Sequence, residues 1–212
     1  MTRSILLILM LLCLPRPVDA LFGGGAGKKT VERLDAVKAA FENGKCADVQ
    51  DMADAFLKEK PPARMREETY GYLGRCYETG GLTDKAVSLY KVAIELFPEN
   101  AFFAERLAGI YNKSGFYASA VPLFLDILEL KNGDIGANLG LARAYFGLGF
   151  LGKSRDFYAK TVALQNFSSP EVLREYASCL LKQRAWAEVS SITVRGAAVE
   201  PAAAFWPLTA AR

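Results

Sequence analysis

From Tyr70 to Pro98, in YGYLGRCYETGGLTDKAVSLYKVAIELFP, apolar residues return every three or four positions, and Gly80-Gly81 interrupts the pattern midway. Tyr70, Leu73 and Tyr77 fall on one helical face and Ala86, Tyr90 and Ala93 on another, which predicts two amphipathic helices joined by a tight glycine turn. Gly74 and Ala86 are small where two antiparallel helices cross, Tyr77 and Tyr90 fill the space beside them, and Pro98 ends the second helix. The same offsets recur about 34 residues later, at Leu107, Ala108, Tyr111, Gly115, Tyr117, Ala120 and Phe124. They recur again at Leu141, Ala142, Tyr145, Gly149, Ser154 and Tyr158. From Pro170, after a one-residue slip, Tyr176, Ala177, Leu180, Trp186 and Pro201 follow the register, with Trp186 expected in the core. A short helix from about Thr30 to Asn43 and a degenerate second helix within Gly44 to Pro61 precede them all. Pro122 is expected in the first turn of its helix, where a missing N–H costs little. No strand candidate survives.

This spacing of Tyr70, Leu73, Gly74, Tyr77, Gly81, Ala86, Tyr90, Ala93 and Pro98 closely resembles the tetratricopeptide repeat. The resemblance implies an all-α fold, a right-handed superhelical solenoid of about five helix-turn-helix hairpins. Their expected bounds are 30–66, 67–100, 101–134, 135–169 and 170–203, with imperfect first and last units because a terminal unit has only one neighbour. Residues 204–212, which include Phe205 and Trp206, are left as a tail or the start of a further unit.

The N-terminus changes the picture of where the chain works. Arg3, the apolar run Ile5–Leu14 and the small residues ending at Ala20 form a secretory signal pattern cleaved near Ala20, and the run is too short to span a bilayer. Residues 21–29, LFGGGAGKK, are expected to be a glycine-rich linker. They are not a phosphate loop: Phe22 stands where the first glycine belongs and Lys29 where the Ser/Thr hydroxyl belongs. A periplasmic or secreted location follows as the expectation, with no stable membrane span after cleavage.

Composition then narrows the chemistry. The chain is 51% hydrophobic and 23% charged, with a formal net charge of +3 that becomes +2 once Arg3, Arg16 and Asp19 leave with the signal. That is globular and too weakly basic for a nucleic-acid footprint. The chain has no histidine, so the commonest general base and neutral metal ligand are missing. Neighbouring carboxylates such as Glu67 and Glu68, or Asp51 and Asp54, read as solvated helix-face residues. No enzyme, cofactor or metal is expected. Cys46, Cys76 and Cys179 have no metal-ligand spacing; Cys76 and Cys179 hold equivalent small core positions, and Cys46 could approach Cys76 for a disulfide in an oxidising compartment.

In the repeat family the first helix of each hairpin lines a concave face that binds partners. The resemblance projects that groove onto Gly71, Arg75, Glu78 and Thr79; then Phe102, Glu105, Asn112 and Lys113; then Leu139, Arg143, Phe146 and Gly147; and finally Arg174, Ser178, Leu181 and Lys182. Arg75, Lys113, Arg143 and Lys182 outnumber Glu78, which would attract acidic segments. Phe102, Leu139 and Phe146 add apolar anchors, and Asn112 could bond a peptide backbone. The clamp that some members use for a terminal carboxylate is not reproduced, because Gly71 replaces its first lysine. The expectation is a non-enzymatic protein-interaction scaffold of the bacterial cell envelope that binds another protein or a peptide segment. The alternatives are an interaction module of a longer envelope enzyme or assembly machine continuing past Arg212, and a glycan or cell-wall binder.

Overall fold

A computed structural model describes residues 26–203 and Trp206. Among them are ten α-helices and no strand. The signal pattern, residues 21–25 of the linker, Phe205 and residues 207–212 lie outside the described residues. The helices fall into two compact units divided at Gly80/Gly81.

The first unit holds α1 (Ala26–Glu42), α2 (Cys46–Lys58) and α3 (Ala63–Thr79). The described part of helix α1 runs from Ala26, so Ala26–Lys29 of the expected linker are helical; alanine and lysine are good helix formers. Helix α3 starts at Ala63, one turn before the expected unit boundary, because Pro62 stops any earlier continuation and opens the helix. Val37, Val49, Ala53, Phe56, Leu73 and Cys76 form the buried interior of this unit, with Gly74 and Tyr77 buried on the same helix. Cys46, the first residue of α2, is joined to Cys76 of α3 by a disulfide, with Cα atoms 5.2 Å apart.

The second unit holds α4 (Thr83–Leu96), α5 (Ala101–Lys113), α6 (Tyr117–Leu130), α7 (Ile135–Gly147), α8 (Leu151–Leu164), α9 (Pro170–Lys182) and α10 (Trp186–Val199). Each helix packs on the next, and α5 also packs on α7. Ala86, Tyr90, Ala93, Leu107, Ala108, Ala120, Leu141 and Ala142 are buried where the repeat places them, as is Tyr145, while Tyr111 is half-buried.

The hairpin turns share one chemistry. Gly44, Gly81, Gly115 and Gly149 have φ between +71° and +79°, and after Gly44, Gly115 and Gly149 the next residue's N–H closes the turn, as in Phe116 N to Tyr111 O (2.8 Å) and Phe150 N to Tyr145 O (2.9 Å). In the last hairpin the one-residue slip puts Arg184 in that conformation, at φ 58°. The slip itself is the loop after α8, where Asn166 and Phe167 are both left-handed, at φ 48° and 57°. In the second unit the first helices α5, α7 and α9 carry polar caps instead: the side chains of Asn100, Asp134 and Ser169 accept from Phe102 N, Ala137 N and Val172 N.

Three close approaches fix how neighbouring helices seat. A β-carbon on Gly140 of α7 would lie 2.2 Å from the Phe124 ring of α6, and one on Gly147 would lie 2.3 Å from Tyr117. At the end of the chain a β-carbon on Gly196 would meet the Trp206 ring at 2.3 Å. Trp206 is 1% exposed and therefore folds back on the final hairpin. Trp186, expected in the core, is instead 51% exposed. It is the first residue of α10, equivalent to Tyr117, and no described helix follows for it to lie on as Tyr117 lies on Gly147. Pro122 is also one turn deeper than expected, the sixth residue of α6, and its ring faces outward with Ala118 left without that N–H donor.

Two substitutions separate these effects in a thermal melt. Arg184→Gly should stabilise by roughly 0.5–1 kcal/mol by removing a side chain from left-handed backbone. Gly140→Ala should destabilise by roughly 1–3 kcal/mol through overpacking on Phe124. The reverse ranking of melting temperatures would show that the seating of α6 on α7 is misplaced.

Candidate partner-binding surface

In the second unit the first helices α5, α7 and α9 lie in a row, and most of the projected groove residues sit along it. The side chains brace one helix to the next. Glu105 of α5 approaches the N-terminus of α7, where a β-carbon on Gly136 would lie 3.6 Å from its Oε1; a carboxylate there complements the helix dipole. Asn112 donates from Nδ2 to the Gly140 carbonyl at 2.8 Å, so its amide is spent inside the chain instead of facing a peptide. Its Oδ1 is buried and has no hydrogen-bond partner.

Between α7 and α9 the contact is ionic. Arg143 donates to both carboxylate oxygens of Glu175, from Nε at 2.8 Å and from Nη2 at 2.7 Å. A planar two-point pair is the strong form of this interaction. Tyr158 of α8 donates its hydroxyl to the same Glu175 at 3.0 Å. The hydrogen bond to Glu175 pushes the Arg143 pKa further up, and burial, followed by the Glu175 charge, raises that of Tyr158.

Two further cations are also engaged. Arg174 pairs with Glu200 at the end of α10 and lies 3.7 Å from Glu171. Lys182 holds its ammonium 4.1 Å above the Phe146 ring. Gly147 faces the Tyr117 ring and cannot line a groove. What stays open on this row is Lys113, which is exposed, with Phe102 and Leu139 half-buried. In the first unit, Arg75 of α3 stacks 4.6 Å over Phe41, which packs against Tyr72, and Glu78 is half-buried on the same helix.

The expected cations of this face come with anions. Glu175 and Glu200 offset Arg143 and Arg174, so the face is closer to neutral than Arg75, Lys113, Arg143 and Lys182 against Glu78 implied. The available signal was the interval: Glu175 follows Arg143 by 32 residues, close to one repeat, which places the two on adjacent first helices. The sequence also gave no hint of a cleft of about 200 Å³ between α8 and α10, floored by Val162, Tyr176 and Ile192. Phe167, carried out by the extra residue of the preceding loop, closes one end of it under the Arg195 guanidinium, 4.0 Å from the ring centre.

Helical hairpins in tandem, braced between equivalent helices, define an all-α solenoid, and comparison with known proteins agrees. Solved structures of MamA have this fold: a double mutant of the RS-1 protein has a TM-score of 0.74 at 15% identity, covering 82% of this chain and 95% of that one. A further MamA crystal structure has a TM-score of 0.73 at 18% identity, covering 82% and 93%. MamA from residue 41 to its end, from Desulfovibrio magneticus RS-1, has 0.69 at 17% identity, covering 83% and 97%. In sequence, tetratricopeptide repeat protein 8 of Caenorhabditis elegans is 25% identical over 114 residues, 54% of this chain, and the chain spans about a fifth (22%) of that relative's length. No protein-family model matches the chain. Fold, period and sequence match together make the chain similar to tetratricopeptide-repeat proteins.

The buried phenols set a pH limit. Tyr176 is pushed up to about 12, by burial first and then by the Glu188 charge; Tyr158 is also raised, and Tyr77 is raised by burial and by Asp54. A raised phenol means the folded state holds its proton while the unfolded chain loses it near pH 10. Stability from these groups is therefore complete below about pH 10 and lost as pH rises toward about 12. Tyr176→Phe should flatten the alkaline limb of a melting-temperature profile by on the order of 1 kcal/mol. An unchanged limb would mean that the ring is not held away from water.

Proposed function

We propose that the protein is a non-enzymatic scaffold of the bacterial cell envelope that holds a segment of another protein along the row of α5, α7 and α9. The observation that carries this reading is the row itself: equivalent helices are braced to one another by Asn112–Gly140 and Arg143–Glu175, which makes a rigid platform. A preorganised surface loses little freedom on binding, which suits a docking role. Phe102 and Leu139 supply apolar anchors, and Lys113 supplies a cation at the edge. An extended or helical segment with apolar residues and a carboxylate toward Lys113 fits that arrangement.

The disulfide supports the extracytoplasmic part of the reading. Cys46 and Cys76 close a loop with a sequence separation of 30, for which chain-entropy arguments give about 3–4 kcal/mol. Such a bond persists outside the reducing cytosol.

The test is photo-crosslinking in the source cell, with a photoreactive residue at position 102 or 139 and, as control, at the exposed position 125 on α6. Defined adducts from 102 and 139, absent at 125, are expected, and alkylation of the same samples should find Cys46 and Cys76 oxidised. Identical adducts from all three positions would remove the row as the binding face, and free thiols would remove the envelope location.

A further inference from the structure

The turns between first and second helices in the second unit share one edge. Tyr117, at the start of α6, lies on Gly147 at the end of α7, and Gln183, after α9, donates from Nε2 to the Leu151 carbonyl at the start of α8 (2.7 Å). Three consecutive turns are thus neighbours. Their outermost residues are large and apolar: Phe116 is 62% exposed, Phe150 57%, Trp186 51% and Leu148 37%. Phe116 and Phe150 occupy helix N-cap positions and make no side-chain cap bond, where a serine or aspartate would provide one. Each meets a tyrosine of its own hairpin edge-on, Tyr111 and Tyr145, with centroids 6.3 Å apart, and that contact leaves most of the ring in water.

The charges at this edge have one sign. Residues 113–118, 147–153 and 182–187 contain Lys113, Lys153, Lys182 and Arg184 and no carboxylate. The next acid, Glu188, lies 3.7 Å from Arg155. Lys153 sits beside the aromatic groups, its ammonium 5.1 Å from the Tyr145 ring and 5.9 Å from that of Phe150. Aromatic rings with long cationic side chains at their flanks suit the boundary between headgroups and acyl chains, rings inward and ammonium groups at the phosphates. Anionic headgroups complement the charge, and a flat surface can meet three adjacent turns at once.

We infer that this edge docks the protein on an anionic phospholipid surface, with Phe116, Phe150 and Trp186 entering the interface and Lys153, Lys182 and Arg184 contacting phosphates. Docking along the turns leaves the faces of α5, α7 and α9 free for a protein partner.

Sedimentation of the full chain with vesicles tests it, using phosphatidylcholine alone and with about 30% phosphatidylglycerol. Binding to the anionic vesicles is expected, weakening with salt. Phe116→Ser with Phe150→Ser, or Lys153→Glu with Arg184→Glu, should weaken it by about tenfold or more. The chain has two tryptophans, and Trp206 is already buried, so a blue shift on binding reports Trp186. Trp186→Phe should abolish that shift. Circular-dichroism melts show that each variant is folded. Failure to bind anionic vesicles, equal binding by folded variants, or binding with unchanged emission, which would assign attachment to another segment such as residues 5–14, would each overturn the inference.

Discussion

Aromatic rings lying on glycine set the geometry of the second unit. Phe124 on Gly140 and Tyr117 on Gly147 bring α6 and α7 closer than any pair of side-chain-bearing residues would allow. The helix angle, the burial of Ala137, Leu141 and Ala142, and the reach of Asn112 to the Gly140 carbonyl all depend on that approach. Trp206 on Gly196 repeats the device at the last hairpin. Overpacked by one methyl group, such a contact has no soft neighbour to yield, because the opposing atoms belong to a rigid ring.

The hairpins were legible because their signal is local and repeated. Alanine, glycine and tyrosine at fixed offsets state where two helices cross, and a 34-residue period makes each copy a check on the others. The misplacements have a common cause, which is that local pattern does not say what lies beyond it. Trp186 reads as core from its apolar neighbours, yet its equivalent Tyr117 is covered only because α7 follows. Gly147 reads as groove from its offset, yet it faces the preceding second helix. Trp206 gave no periodic signal, since a single residue has none.

The candidate face was half legible for the same reason. Offsets place Arg143 and Arg174 on first helices, but a salt bridge is a property of two helices, and Glu175 and Glu200 belong to the following elements. Once paired, these residues hold helices together more than they attract ligands, and a buried or braced charge exchanges partners only when the ligand offers an equally good carboxylate. Engagement leaves the exposed Lys113 and the half-buried Phe102 and Leu139 as the features of that row least consumed by the fold.

The bond between Cys46 and Cys76 has a mechanical side. Tension applied across the chain cannot straighten the segment they enclose, whatever happens to the helices inside it. With a separation of 30 residues, about 100 Å of contour length is withheld from stretching. A tether anchored near Ala26 would transmit force past that loop as though it were a single stiff link.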